Sequence, residues 1–148
     1  MSNGDKPMIE ELSLIDTDIL SYMLKGMEPA QSQSQIYFQK HKKFTISTLT
    51  YYESLRGYKA SNATRRLKTF HHFLRRVELL DVDKTILDKA AEIYAYMKPR
   101  GILPGEIDVI IGATAIVHDL WLITNNTSHY QPISDEFDLK LSNWMHSK

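Results

Sequence analysis

The sequence contains no cysteine among its 148 residues, which excludes disulfide scaffolds, thiol catalysis, zinc ribbons and iron–sulfur clusters together. It also lacks a long hydrophobic run, because its most apolar stretch, residues 109–117, is far too short to cross a bilayer. The N-terminal residues have no apolar core of signal-peptide length. We therefore expect a cytoplasmic protein with no membrane partner, whose chemistry depends on side chains other than thiols.

A net charge is absent as well, since 18 Lys and Arg residues balance 18 Asp and Glu residues. Hydrophobic residues make up 43% of the chain and charged residues 24%, which is typical of a folded globular protein rather than a disordered one. The length suits one compact domain. We expect a single domain over residues 1–148, with a core at about 12–144 and with residues 1–11 flexible.

The alternation of short apolar runs with longer periodic segments predicts an α/β fold. Strands connected through helices of this length pair in parallel, so we expect a three-layer sandwich in which helices flank a central, mostly parallel sheet of four to five strands. The predicted strands are 12–15, 44–47, 78–82, 121–124 and, as a fifth, 139–144. The predicted helices are 18–25, 32–40, 49–58, 63–76, 84–97 and 107–119.

Four polar positions, Asp16, Glu53, Asp108 and Asn126, each fall just past a predicted strand or at the start of a helix. In a parallel sheet these places lie along one edge, so residues distant in sequence converge there. Carboxylates held close together repel one another unless a cation neutralises them or their pKa values rise. Mg²⁺, which prefers carboxylate oxygens and retained water, is the natural counter-charge.

Each of these positions also has a simpler explanation. Asp16 suits a helix cap, Glu53 could pair with Arg56 one turn along, Asp108 suits the positive end of a helix dipole, and Asn126 suits a turn. Asp108 is the position that these explanations fit least well. The helix that follows it is apolar nearly all round, and an acid at the mouth of a buried helix needs a partner.

The short motifs around these positions resemble those of PIN-domain ribonucleases, and within them the VapC-type toxins of bacterial toxin–antitoxin pairs. The sequence Leu-Ile-Asp-Thr-Asp at 14–18 is similar to the opening strand and turn of that family, which usually has Asn where this chain has Asp18. Residues 47–57, 108–115 and 123–127 resemble the second, third and fourth motifs. The likeness runs from about residue 14 to residue 144.

The resemblance implies an endoribonuclease in which a Mg²⁺ or Mn²⁺ ion activates water for attack on phosphorus. The implied catalytic and metal-binding residues are Asp16, Glu53 and Asp108, with Asn126 as a weaker ligand or a group that orients water. Thr17 and Thr124 would hold the carboxylates through their hydroxyl groups. Glu106 is an alternative to Asp108, and the sequence leaves open whether Asp18 joins the site. The implied partners are an RNA substrate, an antitoxin protein and a second copy of the chain in a homodimer.

The zero net charge is the sum of segregated segments, because residues 1–39 carry a net −4, residues 40–76 a net +9 and residues 77–148 a net −5. One arc of the predicted helix 63–76 is basic, and a cationic stripe beside an acidic metal site suits a phosphate backbone. The candidate RNA-binding residues on this arc are Arg65, Lys68, His72, Arg75 and Arg76. A solvated surface helix would explain the same arc.

Two other functions fit the same sequence features. The chain could be a housekeeping PIN nuclease in RNA processing, or a non-catalytic module of the same fold that binds RNA or protein. Growth arrest in a bacterial host would distinguish a toxin from the first alternative, and a lack of divalent-ion binding would favour the second.

Overall fold

The computed structural model describes residues 11–102 and 105–146, which form five strands and seven α-helices. Two short 3₁₀ turns follow α4 and α5. The elements in chain order are β1 (Ser13–Ile15), α1 (Thr17–Leu24), α2 (Ala30–His41), β2 (Phe44–Ser47), α3 (Thr48–Ala60), α4 (Thr64–Phe73), β3 (Val77–Leu80), α5 (Lys84–Met97), α6 (Glu106–Val117), β4 (Trp121–Ile123), α7 (Thr127–Phe137) and β5 (Leu141–Ser142).

All strand pairs are parallel, as the alternation of strands and helices predicts. Strand β1 pairs with β4, and β4 pairs with β5, whereas β2 pairs with β3. Strands β1 and β2 lie side by side, so the strand order across the fold is β3, β2, β1, β4, β5. The expected sheet of four to five strands is therefore present, but in the described residues its hydrogen bonding is divided into a set of three and a set of two.

The two faces of this sheet are covered by two separate hydrophobic cores. Side chains alternate across a strand, so Leu14 and Leu122 face one way while Ile15 and Ile123 face the other. The first pair packs in a core built largely from α5, α6 and α7, and the second pair in a core built largely from α1, α2 and α4. This arrangement confirms the three-layer α/β sandwich.

Helix α7 is the element that the sequence pattern does not predict, since residues 125–127 suit a turn and Pro132 interrupts the helical pattern. Pro132 lies inside the helix and cannot donate a backbone hydrogen bond. Tyr130 and Ile133 of the same helix are fully buried in the core. The packing of these two side chains offsets the lost hydrogen bond, and it places residues 127–130 beside the end of β4.

The remaining differences concern the ends of elements. Strand β3 begins and ends earlier than predicted, and β5 has only two residues. The long helix predicted for 63–76 ends as an α-helix at Phe73 and continues as a 3₁₀ turn. In the described residues no helix is both long enough and apolar enough to cross a membrane.

Candidate metal centre

Asp16 follows β1 directly and caps the N terminus of α1, where its side chain is buried and only 6% of the residue is exposed. Its Oδ1 accepts a hydrogen bond from the backbone N–H of Thr17 at 2.9 Å, and its Oδ2 accepts one from the Thr124 hydroxyl at 2.8 Å. These bonds fix the carboxyl between the ends of β1 and β4. Among the described residues, no Lys or Arg forms a salt bridge with it.

Burial, together with the negative charges of Asp18 and Asp108, raises the pKa of Asp16 to about 7, against the hydrogen bonds from Thr124 and Thr17. A buried carboxyl that is poorly ionised at neutral pH lacks a counter-charge. Asp18 and Asp108 are therefore near enough to Asp16 to destabilise its ionised form, which is the situation that a bound cation relieves.

Asp18 lies in the first turn of α1, two residues after Asp16. Its Oδ1 accepts from the backbone N–H of Ile19 at 2.7 Å, and its Oδ2 accepts from the backbone N–H of Asn125 at 3.1 Å. Burial raises the pKa of Asp18, and the charge of Asp108 adds to that rise. Asp18 thus belongs to the same acidic cluster, and it ties the loop after β4 to helix α1.

Asp108 lies in the first turn of α6 and is about one-third exposed, with 34% of its side chain accessible. Its Oδ2 is 3.1 Å from Nε2 of His129, which lies in the first turn of α7. Sequence reasoning missed His129, because no histidine in the chain has the spacing of a metal-binding pair. Its position three residues after Asn126, in the turn that follows a strand-end motif, was the available signal.

Tyr130 follows His129 and brings a buried hydroxyl to the acidic cluster. The hydroxyl has no hydrogen-bond partner of normal geometry in the described part of the chain. Its pKa is well above the ordinary value, first because it is buried and then because Asp16 and Asp108 are close. A buried polar atom without a partner is costly, so it marks a place that a water molecule or another polar ligand would occupy.

Glu53 reaches the cluster indirectly, from helix α3. The Thr17 hydroxyl donates to Oε1 of Glu53 at 2.6 Å, and the hydroxyls of Thr17 and Thr50 are 3.1 Å apart. The sequence also allowed an ion pair between Glu53 and Arg56. In the structure this is a long contact of 3.9 Å between Oε2 of Glu53 and Nη2 of Arg56. Glu53 therefore lies at the rim of the site and is connected to the Asp16 loop through Thr17.

The other two candidates lie at the edge of the cluster or outside it. Asn126 is exposed at the start of α7, where its backbone N–H donates to the Thr124 hydroxyl at 3.1 Å and its side chain does not cap the helix. Glu106 is exposed and lines a groove with Leu87 and Tyr94 of α5. Glu106 therefore faces α5 rather than the other carboxylates.

The predicted RNA-binding arc is exposed along α4 and the 3₁₀ turn after it. One of its members, Arg76, places its guanidinium 5.5 Å from the ring centre of Phe38. Arg66 lies on a different side of α4, because it shares a cavity with Glu53. Arg65 and Lys68 fall about 100° and 160° away from Arg66 around the helix.

The donors at this site are oxygen atoms, which suit a hard divalent cation. Within the described residues, no three Asp, Glu or His side chains are already close enough together to hold a metal ion. Mg²⁺ is commonly bound through only one or two protein carboxylates, with water completing its coordination. The partly protonated Asp16 and the buried Tyr130 hydroxyl close to Asp108 fit a site of that kind.

Comparison with known proteins identifies the family. The family model described as "PIN domain" matches residues 13–132. A VapC ribonuclease of Pyrococcus furiosus is 31% identical over 108 residues, which cover 70% of this chain and 70% of the relative. The chain belongs to the PIN-domain family and to its VapC group. Ribonuclease VapC1 of Methanocaldococcus jannaschii is 28% identical to this VapC chain over 135 residues, which cover 83% of this chain and 96% of the relative.

A solved structure supports the same fold. The VapBC2 complex of Rickettsia felis, bound to a DNA fragment from its promoter, contains a chain that matches with a TM-score of 0.79 and 22% identity. The match covers 89% of the present VapC chain and 98% of that chain. At this level of identity the comparison shows the fold alone.

Proposed function

We propose that this PIN-domain protein is a divalent-metal-dependent endoribonuclease and the toxin of a toxin–antitoxin pair. The observation that carries the proposal is the convergence of Asp16 and Asp18, at the start of α1, with Asp108 in the first turn of α6, where burial and the charges of the other two carboxylates raise the pKa of Asp16 to about 7. Proteins named as VapC ribonucleases are 28% and 31% identical to this chain over 135 and 108 residues. We take the ion to be Mg²⁺ or Mn²⁺.

Asp16 and Asp108 would hold the ion, with Glu53 at the rim and Asn126 as a weaker ligand. A divalent cation supplies a water of lowered pKa and offsets the charge that develops on a phosphodiester. Thr124 keeps Asp16 in one orientation, and Thr17 does the same for Glu53. His129 holds the Asp108 carboxyl from the side of α7. In the hydrolysis, the water oxygen bonds to phosphorus, the bond from phosphorus to the leaving oxygen breaks, and that oxygen takes up a proton.

The test is cleavage of tRNA and mRNA fragments by the purified protein with Mg²⁺ or Mn²⁺. We expect Asp16→Asn and Asp108→Asn each to lower the single-turnover rate by about 10³-fold, because each removes a carboxylate next to the developing charge. Asp119→Asn is a matched control, since Asp119 is exposed beyond the C-terminal end of α6 and pairs only with Lys140 in the described structure. Cleavage that persists in both site variants, with contaminating nucleases excluded, would overturn the proposal.

The biological role has a separate test. Chains similar to this one occur in VapBC complexes, and we infer that this protein also binds a small antitoxin. We further propose that it acts in the cytoplasm as a homodimer of single-domain subunits. Expression in a bacterial host should arrest growth, and an antitoxin encoded next to the gene should relieve the arrest. Normal growth alongside RNA cleavage in vitro would favour a housekeeping nuclease instead.

A further inference from the structure

A polar cavity of about 370 Å³ lies next to Glu53, between helices α1, α3 and α4. Thr17 and Glu53 form the end of the cavity nearest the acidic cluster. Three serines, Ser21, Ser54 and Ser61, contribute to its walls. The cavity is therefore connected to the candidate metal centre by the Thr17–Glu53 hydrogen bond, and its lining is rich in hydroxyl groups.

The charges in this cavity favour an anion. Lys25 of the α1 end and Arg66 of α4 both line it, and in the described part of the chain neither one forms an ion pair. Among the described residues that line it, Glu53 alone is acidic, and it is already hydrogen bonded to Thr17. Arg66 opposes the rise that burial causes in the pKa of Tyr58, so its positive charge is close to that phenol in the same cavity.

Gly57 gives the cavity its open wall. It lies in the middle of α3, where glycine is a poor helix former compared with alanine. A Cβ added to Gly57 would meet no atom within 4 Å, so packing in the described structure does not require glycine at this position. The residue instead leaves free space in the cavity that Lys25 and Arg66 also line.

We propose that this cavity binds a backbone phosphate of single-stranded RNA adjacent to the phosphate that is cleaved. The proposal rests on the proposed nuclease function. Lys25 and Arg66 would neutralise the phosphate, and the hydroxyls of Ser21 and Ser54 would donate hydrogen bonds to its oxygens. The position next to Glu53 would set the distance between the bound phosphate and the metal centre, so the cavity would fix the register of the RNA. RNA is the favoured ligand because Thr17 and Glu53, which line the cavity, connect it to the acidic cluster.

The first test compares two double variants by the binding of a fluorescently labelled single-stranded RNA in EDTA, where no cleavage occurs. Lys25→Gln/Arg66→Gln removes the cavity cations, and Arg65→Gln/Lys68→Gln removes the same kinds of charge from other sides of α4. We expect the cavity variant to raise the Kd about tenfold, and to reduce the slope of log K against log salt by about 1. The Arg65/Lys68 variant tests the basic arc as the competing RNA site, and if the cavity binds the phosphate it should change the Kd less than about twofold.

In the cleavage assay the cavity variant should raise KM while kcat stays within about twofold, because the substituted groups do not contact the reacting phosphate. An unchanged Kd and salt slope for the cavity variant would overturn the proposal. An equally large rise in the Kd of the Arg65/Lys68 variant would also overturn the proposal, and would support the basic arc as the RNA site. A parent protein that binds RNA through Lys25 and Arg66 but cleaves nothing would refute the nuclease function and leave the cavity assignment standing.

A second variant fills the cavity without changing charge. Gly57→Leu should weaken RNA binding about tenfold while the melting temperature stays the same or rises, since leucine is the better helix former and its Cβ would meet no protein atom within 4 Å. Gly57→Ala should have a smaller effect in the same direction. RNA affinity that is unaffected by leucine at this position would show that the cavity is not occupied in the complex.

Discussion

The acidic cluster and the neighbouring cationic cavity hold their charged groups in opposite ways. Asp16 and Asp18 are fixed by backbone N–H groups and by the Thr124 hydroxyl, and Asp16 is buried. Lys25 and Arg66 are exposed at the ends of helices. A small ion requires fixed ligands, whereas a polymer of repeating phosphates can be bound by longer, adaptable cations. The difference suggests that the protein places the reaction on its rigid strand ends and substrate capture on its helices.

The largest effect that we expect is a dependence of the free energy of unfolding on pH, which is caused by the buried Asp16 carboxyl. The pKa of Asp16 is about 7 in the folded protein, compared with 3.8 for an ordinary Asp. The folded state therefore holds a proton that the unfolded state releases, and stability falls as pH rises from about 4 to beyond 7. One pKa unit corresponds to about 1.4 kcal/mol, so the full loss is about 4 kcal/mol.

This loss is measurable by urea unfolding in EDTA at pH 4.5 and pH 7.5. Asp16→Asn should be less sensitive to pH than the parent, because the amide does not titrate. Saturating Mn²⁺ at pH 7.5 should restore stability to the parent but much less to the variant. If parent and variant lose equal stability between the two pH values, Asp16 is not the buried acid that we describe.

The next effect concerns the hydrogen bond that links Glu53 to the Asp16 loop through Thr17. Thr17→Val removes the hydroxyl that donates to Glu53 at 2.6 Å while preserving the shape of the side chain. We expect cleavage to slow by about 10-fold to 100-fold, which is typical when a group that orients a metal ligand is lost. Thr17→Ser keeps the hydroxyl and should restore most of the rate. Equal rates for the valine and serine variants would show that this hydrogen bond is not needed.

The smallest effect separates the two aspartates of the first motif. The negative charge of Asp18 helps to raise the pKa of Asp16. Asp18→Asn, which restores the residue common in the family, should therefore lower the pKa of Asp16 in the metal-free protein, as measured from its side-chain carboxyl NMR shift. Asp119→Asn should leave that pKa unchanged. A pKa of Asp16 that does not respond to Asp18→Asn would place the two carboxyl groups further apart than the structure does.

The sequence predicts best those elements in which local signals agree. Helix α5 has the predicted bounds, because Asp83 caps it through the backbone N–H of Ile86 and its buried side chains recur at helical spacing. Strand β2 also has its predicted bounds, and all four of its residues are buried. In both elements, capping, periodicity and burial lead to the same assignment.

The parts that the sequence does not predict depend on contacts between distant residues. Helix α7 forms in spite of Pro132, because Tyr130 and Ile133 pack into a core made by other helices. His129 contacts Asp108 although the two residues are 21 positions apart, and this contact follows from the placement of helix α7. The sequence pattern does not distinguish the neighbouring residues Asn125 and Asn126. In the structure, it is the backbone N–H of Asn125 that donates to Asp18.

A crystal structure of the protein with Mn²⁺ tests the proposed metal centre most directly. We expect an anomalous peak bound to carboxylate oxygens of Asp16 and Asp108 at about 2.0–2.3 Å, near the Tyr130 hydroxyl. The same peak should disappear in Asp16→Asn crystals soaked in the same way. Mn²⁺ bound away from these carboxylates, in a protein that cleaves RNA with Mn²⁺, would contradict the proposed centre.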